Sequence, residues 1–367
     1  MKKILIYMYN LAGGGAERTV VNLINNLDKK KYEILLVIGS NNHNDYIELI
    51  DNTVEIINLN ASRQREALFR LAKIIRKNTP DLMFTTINKN NIVLSLAKMI
   101  SLKRIPIVIR EANNRTQSGK VTYTNKCFTR IIYNYIPTVI IALSKGVRED
   151  LIRNFHVNKR KIEVIYNPIE LKNIVKIKGE ELVDIKINSN EKLIIAVGKL
   201  EEQKDYPTLL KAFNLIVKEI KVKLVILGKG PYEKQLKELT KDLGLENSIK
   251  FVGFQNNPYK YMNIADLFIL TSKWEGFGHV IVEAMATGVP VISTDCNSGP
   301  AEIIEKKYGI LVEVGDYKKI ATEAIEILSN DRKHEKLKEL GYRRAQDFEA
   351  SKIIKEYDII FSQILSS

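Results

Sequence analysis

Short apolar runs alternate with longer amphipathic segments along most of the chain. The amphipathic segments, such as Glu17–Leu27 and Glu66–Lys77, have helical periodicity, and runs of strand length between them predict β-strands. A first series of predicted strands comprises Ile4–Met8, Ile34–Ile38, Leu82–Thr85, Ile107–Ile109, Val139–Ala142 and Ile162–Ile165. A second series comprises Leu193–Val197, Lys223–Leu227, Ile249–Val252, Leu267–Leu270 and Val289–Ile292. This alternation predicts an α/β protein whose parallel sheets are covered by helices on both faces.

Two successive series of strands indicate two doubly wound domains. The intervening segment Glu170–Asn190 is charged and lacks a clear apolar period, so we place a hinge near Pro168–Leu171. The expected domains are residues 1–170 and 171–345, followed by a terminal segment 346–367. The segment Tyr342–Leu365 is expected to be helical. Ligands of such sheets bind at the carboxyl ends of the strands, where several of the polar and glycine-rich loops lie.

Composition is that of a soluble globular protein, with 45% apolar and 27% charged residues. No apolar run approaches the roughly 20 residues that span a bilayer. The N-terminal run Ile4–Met8 ends in Asn10 and glycines rather than in a cleavage site, so we interpret it as a strand and not as a secretion signal. Cys127 and Cys296 have neither metal-site spacing nor a disulfide framework, which fits a reducing cytoplasm.

Positive charge is concentrated in the first half of the chain. Residues 1–170 hold 27 Lys and Arg against 14 Asp and Glu, whereas the remaining residues hold 30 against 29. The basic first half of the chain could face anionic lipid, a phosphorylated acceptor or nucleic acid, or its charge could simply aid solubility. Basic residues with interleaved aromatic side chains, which suit a lipid interface, occur in two stretches. They comprise Arg63, Arg65, Phe69, Arg70, Lys73, Arg76 and Lys77, and then Lys120, Tyr123, Lys126, Phe128, Arg130, Tyr133 and Tyr135. No recognisable RNA- or DNA-binding module is present, so we expect no nucleic-acid partner.

The most informative segment runs from Ser272 to Ile292. Glu275 and Glu283 lie eight positions apart and flank a glycine-punctuated turn that leads into a helix. The first amides of that helix have no intrahelical partner and lie at the positive end of the helix dipole, so they suit a phosphate. A phosphate site with carboxylates at its edge suits a ligand with phosphates and many hydroxyls, namely a nucleotide sugar. The expected donor-binding residues of this segment are Gly276, Phe277, Gly278, His279, Val280 and Glu283. The alternative is an ordinary strand–loop–helix unit with incidental acids.

The Glu275-x7-Glu283 pair in its Glu-Gly-Phe-Gly context resembles the signature of family 4 retaining glycosyltransferases. Ser293-Thr294-Asp295 and Ser298–Glu302, which follow it, strengthen the resemblance. The resemblance implies the GT-B fold, with two doubly wound Rossmann-like domains facing across a cleft. It also implies that the terminal helix crosses back onto the first domain.

The same resemblance implies a reaction and its residues. A sugar would pass from a UDP-sugar to a glycan acceptor with retention of configuration, without a metal or other cofactor. Lys199 and Lys204 follow the first strand of the second domain and would bracket the diphosphate, and Glu275 would hold hydroxyls of the donor sugar. Lys199 replaces the family's usual arginine and cannot form its bidentate contact. Glu283 would bind the ribose diol.

Further loops resemble donor-binding loops of the family. Gly14 and Gly15 of the Gly13-Gly14-Gly15 run begin a predicted helix, where backbone amides can approach an anion or merely form a tight turn. Gly228 and Phe254 end two strands of the second domain and would lie beside the nucleoside. Glu111 and Asn113 follow a first-domain strand where many relatives have a histidine, and could bind sugar hydroxyls. Alternatively, Glu111 pairs with a neighbouring arginine.

The Ser-Gly-Pro-x-Glu segment at Ser298–Glu302 also resembles bacterial enzymes that build lipid-linked surface glycans. This resemblance implies a hexose or N-acetylhexosamine donor, a lipid-linked acceptor and a cytoplasmic, peripheral location at the inner face of the cell membrane. Two alternatives remain from the sequence alone. One is another GT-B enzyme, such as a nucleotide-sugar epimerase or a phosphorylase, and the other is a non-enzymatic basic protein that binds membranes or nucleic acid.

Overall fold

A computed structural model describes residues 1–12, 14–117, 119, 121–182, 185, 190–296 and 298–366. Gly13 of the first glycine run and Lys120 of the second basic stretch lie outside these ranges. The chain forms two compact α/β units. The first unit comprises Met1–Pro168 together with the chain from Ala350 onward, and the second comprises Ile169–Glu349.

The first unit is built on a seven-stranded parallel sheet. Its strands are β1 (Lys2–Met8), β2 (Tyr32–Ile38), β3 (Glu55–Asn58), β4 (Leu82–Thr86), β5 (Ile107–Glu111), β6 (Val139–Ala142) and β7 (Ile162–Val164). Its helices before the second unit are α1 (Gly15–Asn26), α2 (Gln64–Asn78), α3 (Asn88–Ser101), α4 (Tyr123–Tyr135) and α5 (Lys145–Phe155). The strand order β3-β2-β1-β4-β5-β6-β7 reverses between β1 and β4, where a doubly wound sheet opens a crevice for ligands.

The second unit repeats this plan with a six-stranded parallel sheet in the order β10-β9-β8-β11-β12-β13. Its strands are β8 (Lys192–Val197), β9 (Val222–Leu227), β10 (Ile249–Gly253), β11 (Leu267–Leu270), β12 (Val291–Thr294) and β13 (Ile310–Val312). Its helices are α6 (Leu171–Ile177), α7 (Tyr206–Glu219), α8 (Glu233–Asp242), α9 (Tyr259–Met262), α10 (His279–Thr287), α11 (Pro300–Ile304), α12 (Tyr317–Ser329) and α13 (Asp331–Ala345).

The last helix, α14 (Ala350–Ser366), packs in the first unit. Its buried apolar residues join the core formed by β1, β2 and β4. The rings of Phe84, Tyr357 and Phe361 meet edge to face, with centroids 5.9–6.1 Å apart. Burial of such aromatic groups stabilises the association of this helix with the unit.

The predicted helix Tyr342–Leu365 is wrong as one continuous element. Helix α13 ends at Ala345, one 3₁₀ turn follows, and Glu349 has non-helical angles (φ −55°, ψ 132°) before α14 begins. The break has a clear cause, because Ile169 N–H donates to Phe348 O at 2.9 Å and Ile169 forms a parallel bridge with Glu349. The backbone at Phe348 and Glu349 therefore pairs with Ile169, the residue at which the second unit begins.

Three further expectations are corrected by the structure. The segment Glu170–Asn190 contains helix α6, and the strand expected at Val289–Ile292 begins at Val291, after Pro290. The edge strands β3 and β13 were not predicted from the sequence. Both are short and partly exposed, so their apolar signal is weak.

Candidate active site

Lys204 and Glu275 form a close ion pair at the carboxyl end of the second sheet. Lys204 ends a 3₁₀ turn after β8, and Glu275 lies in the loop after β11. Lys204 Nζ lies 2.5 Å from Glu275 Oε1, and the two side chains are only 14% and 8% exposed. Ser272 Oγ donates to the same Oε1 at 2.7 Å. The arrangement places a shielded cation beside an oriented carboxylate.

Hydrogen bonds join the two loops that carry this pair. Gln203 Nε2 donates to Trp274 O at 2.8 Å, and Lys273 N–H donates to Gln203 O at 2.8 Å. Thr271 Oγ1 donates to Lys204 O at 2.9 Å. Because these contacts run in both directions, a shift of either loop would strain the other.

The loops that follow β8 and β9 touch through glycine. Gly228 has φ +142°, and a Cβ at this position would lie 1.9 Å from Gly198 O. A side chain at residue 228 would therefore displace the loop that carries both lysines. Lys199 is exposed in this loop, and Phe254, after β10, is 53% exposed.

The predicted glycine-punctuated turn into α10 is present. Gly278 is the N-cap residue and has φ +94°, whereas Gly276 does not have a positive φ. His279 and Val280 begin the helix and are half-buried, and the N-cap residue, a glycine, has no side chain with which to cap it. The Phe277 ring is buried against Phe348, with centroids 5.3 Å apart, so its side chain supports the turn from behind.

Glu283 lies in the fifth position of α10 and is 6% exposed. Tyr259 Oη donates to its Oε1 at 3.1 Å. The carboxylate is thus oriented from one side by a buried phenol. Its predicted contact with a ribose diol stays a prediction.

In the first unit, Gly14 is the N-cap residue of α1 and Gly15 is the first residue of the helix. Asn113 is exposed in the loop after β5. Glu111 does not follow the strand as expected, because it is the last residue of β5. Its side chain is 2% exposed and accepts a 2.7 Å hydrogen bond from Tyr133 Oη. Burial raises the pKa of the Glu111 carboxyl group, and the positive charge of Arg115 opposes that shift.

Comparisons with known proteins agree with this geometry. A model described as Glycosyltransferase Family 4 matches residues 13–173, and one described as Glycosyl transferases group 1 matches residues 178–344. The N-acetylgalactosamine-N,N'-diacetylbacillosaminyl-diphospho-undecaprenol 4-alpha-N-acetylgalactosaminyltransferase of Campylobacter jejuni is 30% identical over 375 residues. The alignment covers 97% of this chain and 98% of that relative. The chain belongs to the family 4 glycosyltransferases.

Solved structures show the fold of this glycosyltransferase independently. Anabaena HepE in complex with UDP and glucose has a TM-score of 0.83 at 21% identity, covering 99% of this chain and all of that one. The sucrose-phosphate synthase of Thermosynechococcus elongatus has a TM-score of 0.83 at 18% identity and covers both chains fully. The two Rossmann-like units are therefore those of the GT-B fold, as the sequence predicts.

Several residues around the glycosyltransferase's ion pair were not predicted as site residues. Ser272 and Ser298 contact Glu275 through its carboxylate and its backbone carbonyl, respectively, each at 2.7 Å. The Cys296 thiol is buried, and burial together with the charge of Glu275 raises its pKa to about 12. Ser272 and Ser298 lie within the segments that carry the resemblance, but a serine has no spacing that indicates which carboxylate it contacts.

Proposed function

We propose that this glycosyltransferase moves a hexose or N-acetylhexosamine from a UDP-sugar to a lipid-linked glycan, with retention of configuration and without a metal. The observation that carries the proposal is the shielded Lys204–Glu275 pair, which lies just before the N-terminus of α10 in the chain. The ammonium group and the helix amides suit a leaving diphosphate, and the carboxylate suits sugar hydroxyls. Lys199 is exposed and precedes Lys204 in the same loop, and it would add a second positive charge.

The proposed chemistry follows from these groups. The bond between the anomeric carbon and the diphosphate oxygen breaks while the acceptor oxygen bonds to the same face of that carbon. The acceptor proton passes to the departing diphosphate, so neither carboxylate has to act as a nucleophile. Stabilising the charge that develops on the diphosphate is the largest electrostatic task, and we propose Lys204 for this role.

The acceptor class is proposed from the relatives. The printed name of the Campylobacter jejuni enzyme specifies a diphospho-undecaprenol acceptor, and this chain matches it over nearly its full length. Membership in a glycosyltransferase family favours transfer over the epimerase, phosphorylase and non-enzymatic alternatives.

A screen of nucleotide sugars tests the donor. We expect one UDP-sugar to raise the melting temperature of the purified protein in EDTA, because a ligand that binds only the folded state stabilises it. GDP-sugars should have less effect. The Glu283→Ala variant should lose the shift, because the proposed ribose contact is gone. An equal response to GDP-sugars, or a response that needs a divalent cation, would overturn the UDP or the metal-independent part of the proposal.

We also propose that the protein binds the anionic inner face of the membrane through α4. Phe128, Ile131 and Tyr135, here called the α4 stripe, recur at helical spacing and are 43%, 57% and 81% exposed. Arg130 is exposed between them. Exposed rings next to basic groups suit the head-group region. None of the helices in the described ranges has the length and apolar character that crossing a bilayer demands.

Vesicle co-sedimentation tests the α4 stripe. The protein should bind phosphatidylglycerol vesicles more than phosphatidylcholine vesicles, and Ile131→Ser should weaken that binding by about tenfold or less. Ile359→Ser, at a 56% exposed position of α14, is the matched control and should leave binding unchanged. Equal loss in both variants would argue against a role specific to α4.

A further inference from the structure

The two oxygens of the Glu275 carboxylate have unequal surroundings. Oε1 accepts hydrogen bonds from Lys204 Nζ at 2.5 Å and from Ser272 Oγ at 2.7 Å. Within the described ranges, Oε2 accepts no side-chain hydrogen bond. One oxygen is therefore held by two protein donors, and the other is not held by the protein groups that the structure describes.

Ser272 is itself tightly fixed. Its side chain is fully buried, and its carbonyl oxygen accepts a 2.6 Å hydrogen bond from Thr294 Oγ1 in β12. The backbone carbonyl of Glu275 is held separately by Ser298 Oγ at 2.7 Å. Ser272 is thus anchored to the sheet through its carbonyl oxygen, in addition to the contacts that its neighbours Thr271 and Lys273 make with the loop that carries Lys204.

Binding of the nucleotide sugar would affect the two hydrogen-bond partners of Glu275 Oε1 differently. Under the proposed function, the diphosphate carries more negative charge than one carboxylate and competes for the Lys204 ammonium group. A lysine on a flexible stem can redirect its donors toward that anion. Ser272 carries no charge, so a diphosphate gives it no comparable reason to leave Oε1.

We infer that Ser272 is a positioning residue, which keeps the Glu275 carboxylate oriented toward the donor sugar when Lys204 turns to the diphosphate. This inference rests on the proposed function. It predicts that Ser272 matters for the sugar part of the donor and not for the nucleotide part. A serine that only supported the fold would affect both parts alike.

The test separates binding of UDP from use of the UDP-sugar that gives the largest thermal shift. In Ser272→Ala, the Kd for UDP should stay within about twofold of wild type, whereas kcat/KM for the UDP-sugar should fall about tenfold to a hundredfold. Ser293→Ala is the matched control. Ser293 is equally buried, and its hydroxyl donates to Thr294 O at 3.2 Å rather than to Glu275. This control should change neither quantity.

A double-mutant cycle excludes a general packing effect. With Glu275→Gln already present, adding Ser272→Ala should cost much less than it does in wild type, because the two side chains act through one contact. Ser272→Thr keeps a hydroxyl and should restore part of kcat/KM. It also serves as the test variant if Ser272→Ala fails to fold.

Three outcomes would overturn the inference. The first is a Ser272→Ala variant that weakens UDP and UDP-sugar binding equally, and the second is one that keeps wild-type kcat/KM; either leaves the proposed function intact. The third is wild-type protein that binds neither UDP nor any UDP-sugar, which overturns the proposed function and this inference with it.

Discussion

Glu275 in the second unit and Glu111 in the first are both buried carboxylates near the end of a parallel strand, yet their surroundings differ. Glu275 lies in a loop five residues beyond β11 and pairs with the Lys204 ammonium group. Glu111 is the last residue of β5 and is held by the neutral hydroxyl of Tyr133. In the loop the carboxylate has a cation as its partner, whereas the strand position directs the Glu111 side chain into the layer of covering helices.

The partners of Tyr133 strengthen this contrast. Its hydroxyl donates to Glu111 and accepts from Asn88 Nδ2 and Asn91 Nδ2 at 3.1 and 3.0 Å. Asn91 Nδ2 also donates to Arg110 O at 3.0 Å. These contacts tie β5, α3 and α4 together through buried polar groups. Such a network rigidifies its surroundings when its members are hydrogen-bonded.

Among the substitutions considered, replacing Lys204 should have the largest effect on activity. We expect Lys204→Ala to lower turnover by about 10²- to 10³-fold, the usual cost of removing one group that stabilises developing negative charge. It should also cost about 1–3 kcal/mol of unfolding free energy, because the shielded Glu275 carboxylate loses its cation. Steady-state kinetics and thermal melting measure the two effects.

Two controls separate those effects. Lys204→Ala combined with Glu275→Gln should regain melting temperature but not activity, because the unpaired charge is gone while the diphosphate contact stays lost. Lys229→Ala removes an exposed lysine of the neighbouring loop and should change neither property by much. If Lys204→Ala lost stability and activity in proportion, Lys204 would be a structural residue only.

The sequence predicted the local structure around the candidate residues better in the second unit than in the first, for a physical reason. In the second unit the candidate residues lie in loops with glycine at positions that require it, or in the helix that follows such a loop. Gly228 and Gly278 both have positive φ, and residue types at fixed spacing then identify the helix that follows. In the first unit, the interpretation of Glu111 depended on where β5 ends. An error of two residues in that boundary moves a side chain from a loop into the sheet.

Partners across the fold could not be predicted from one sequence. Tyr259 and Glu283 are 24 positions apart, and Arg110 and Asn167, which share a hydrogen bond, are 57 apart. No local period connects such residues, because only the packing of helices against the sheet brings them together. The break between α13 and α14 has the same origin, since it depends on pairing with Ile169.

A matched pair of substitutions tests whether only one of the two glutamates is needed for activity. Glu275→Gln should lower kcat/KM by about tenfold to a hundredfold, because a neutral amide binds donor hydroxyls and Lys204 less strongly. Glu111→Gln should stay within about threefold, because its amide oxygen can still accept from Tyr133. The prediction that Glu111 binds sugar hydroxyls would instead require a comparable loss in both variants, with unchanged melting temperatures.

The smallest expected effect is a pH dependence of stability in Glu111→Gln. Burial raises the pKa of Glu111 in the folded state above its ordinary value of 4.5, while Arg115 and the hydrogen bond from Tyr133 lower it and Asp150 raises it. The folded state then keeps a proton that the unfolded chain releases, so this group's contribution to stability falls as pH rises from 4.5 through the folded pKa. Glutamine does not titrate and lacks that fall. The melting temperature of Glu111→Gln should therefore match wild type near pH 4 and exceed it by about 1–4 °C at pH 7.5. A variant less stable than wild type at pH 7.5 would mean that the charged form of Glu111 is the stabilised one, with Arg115 as its effective partner.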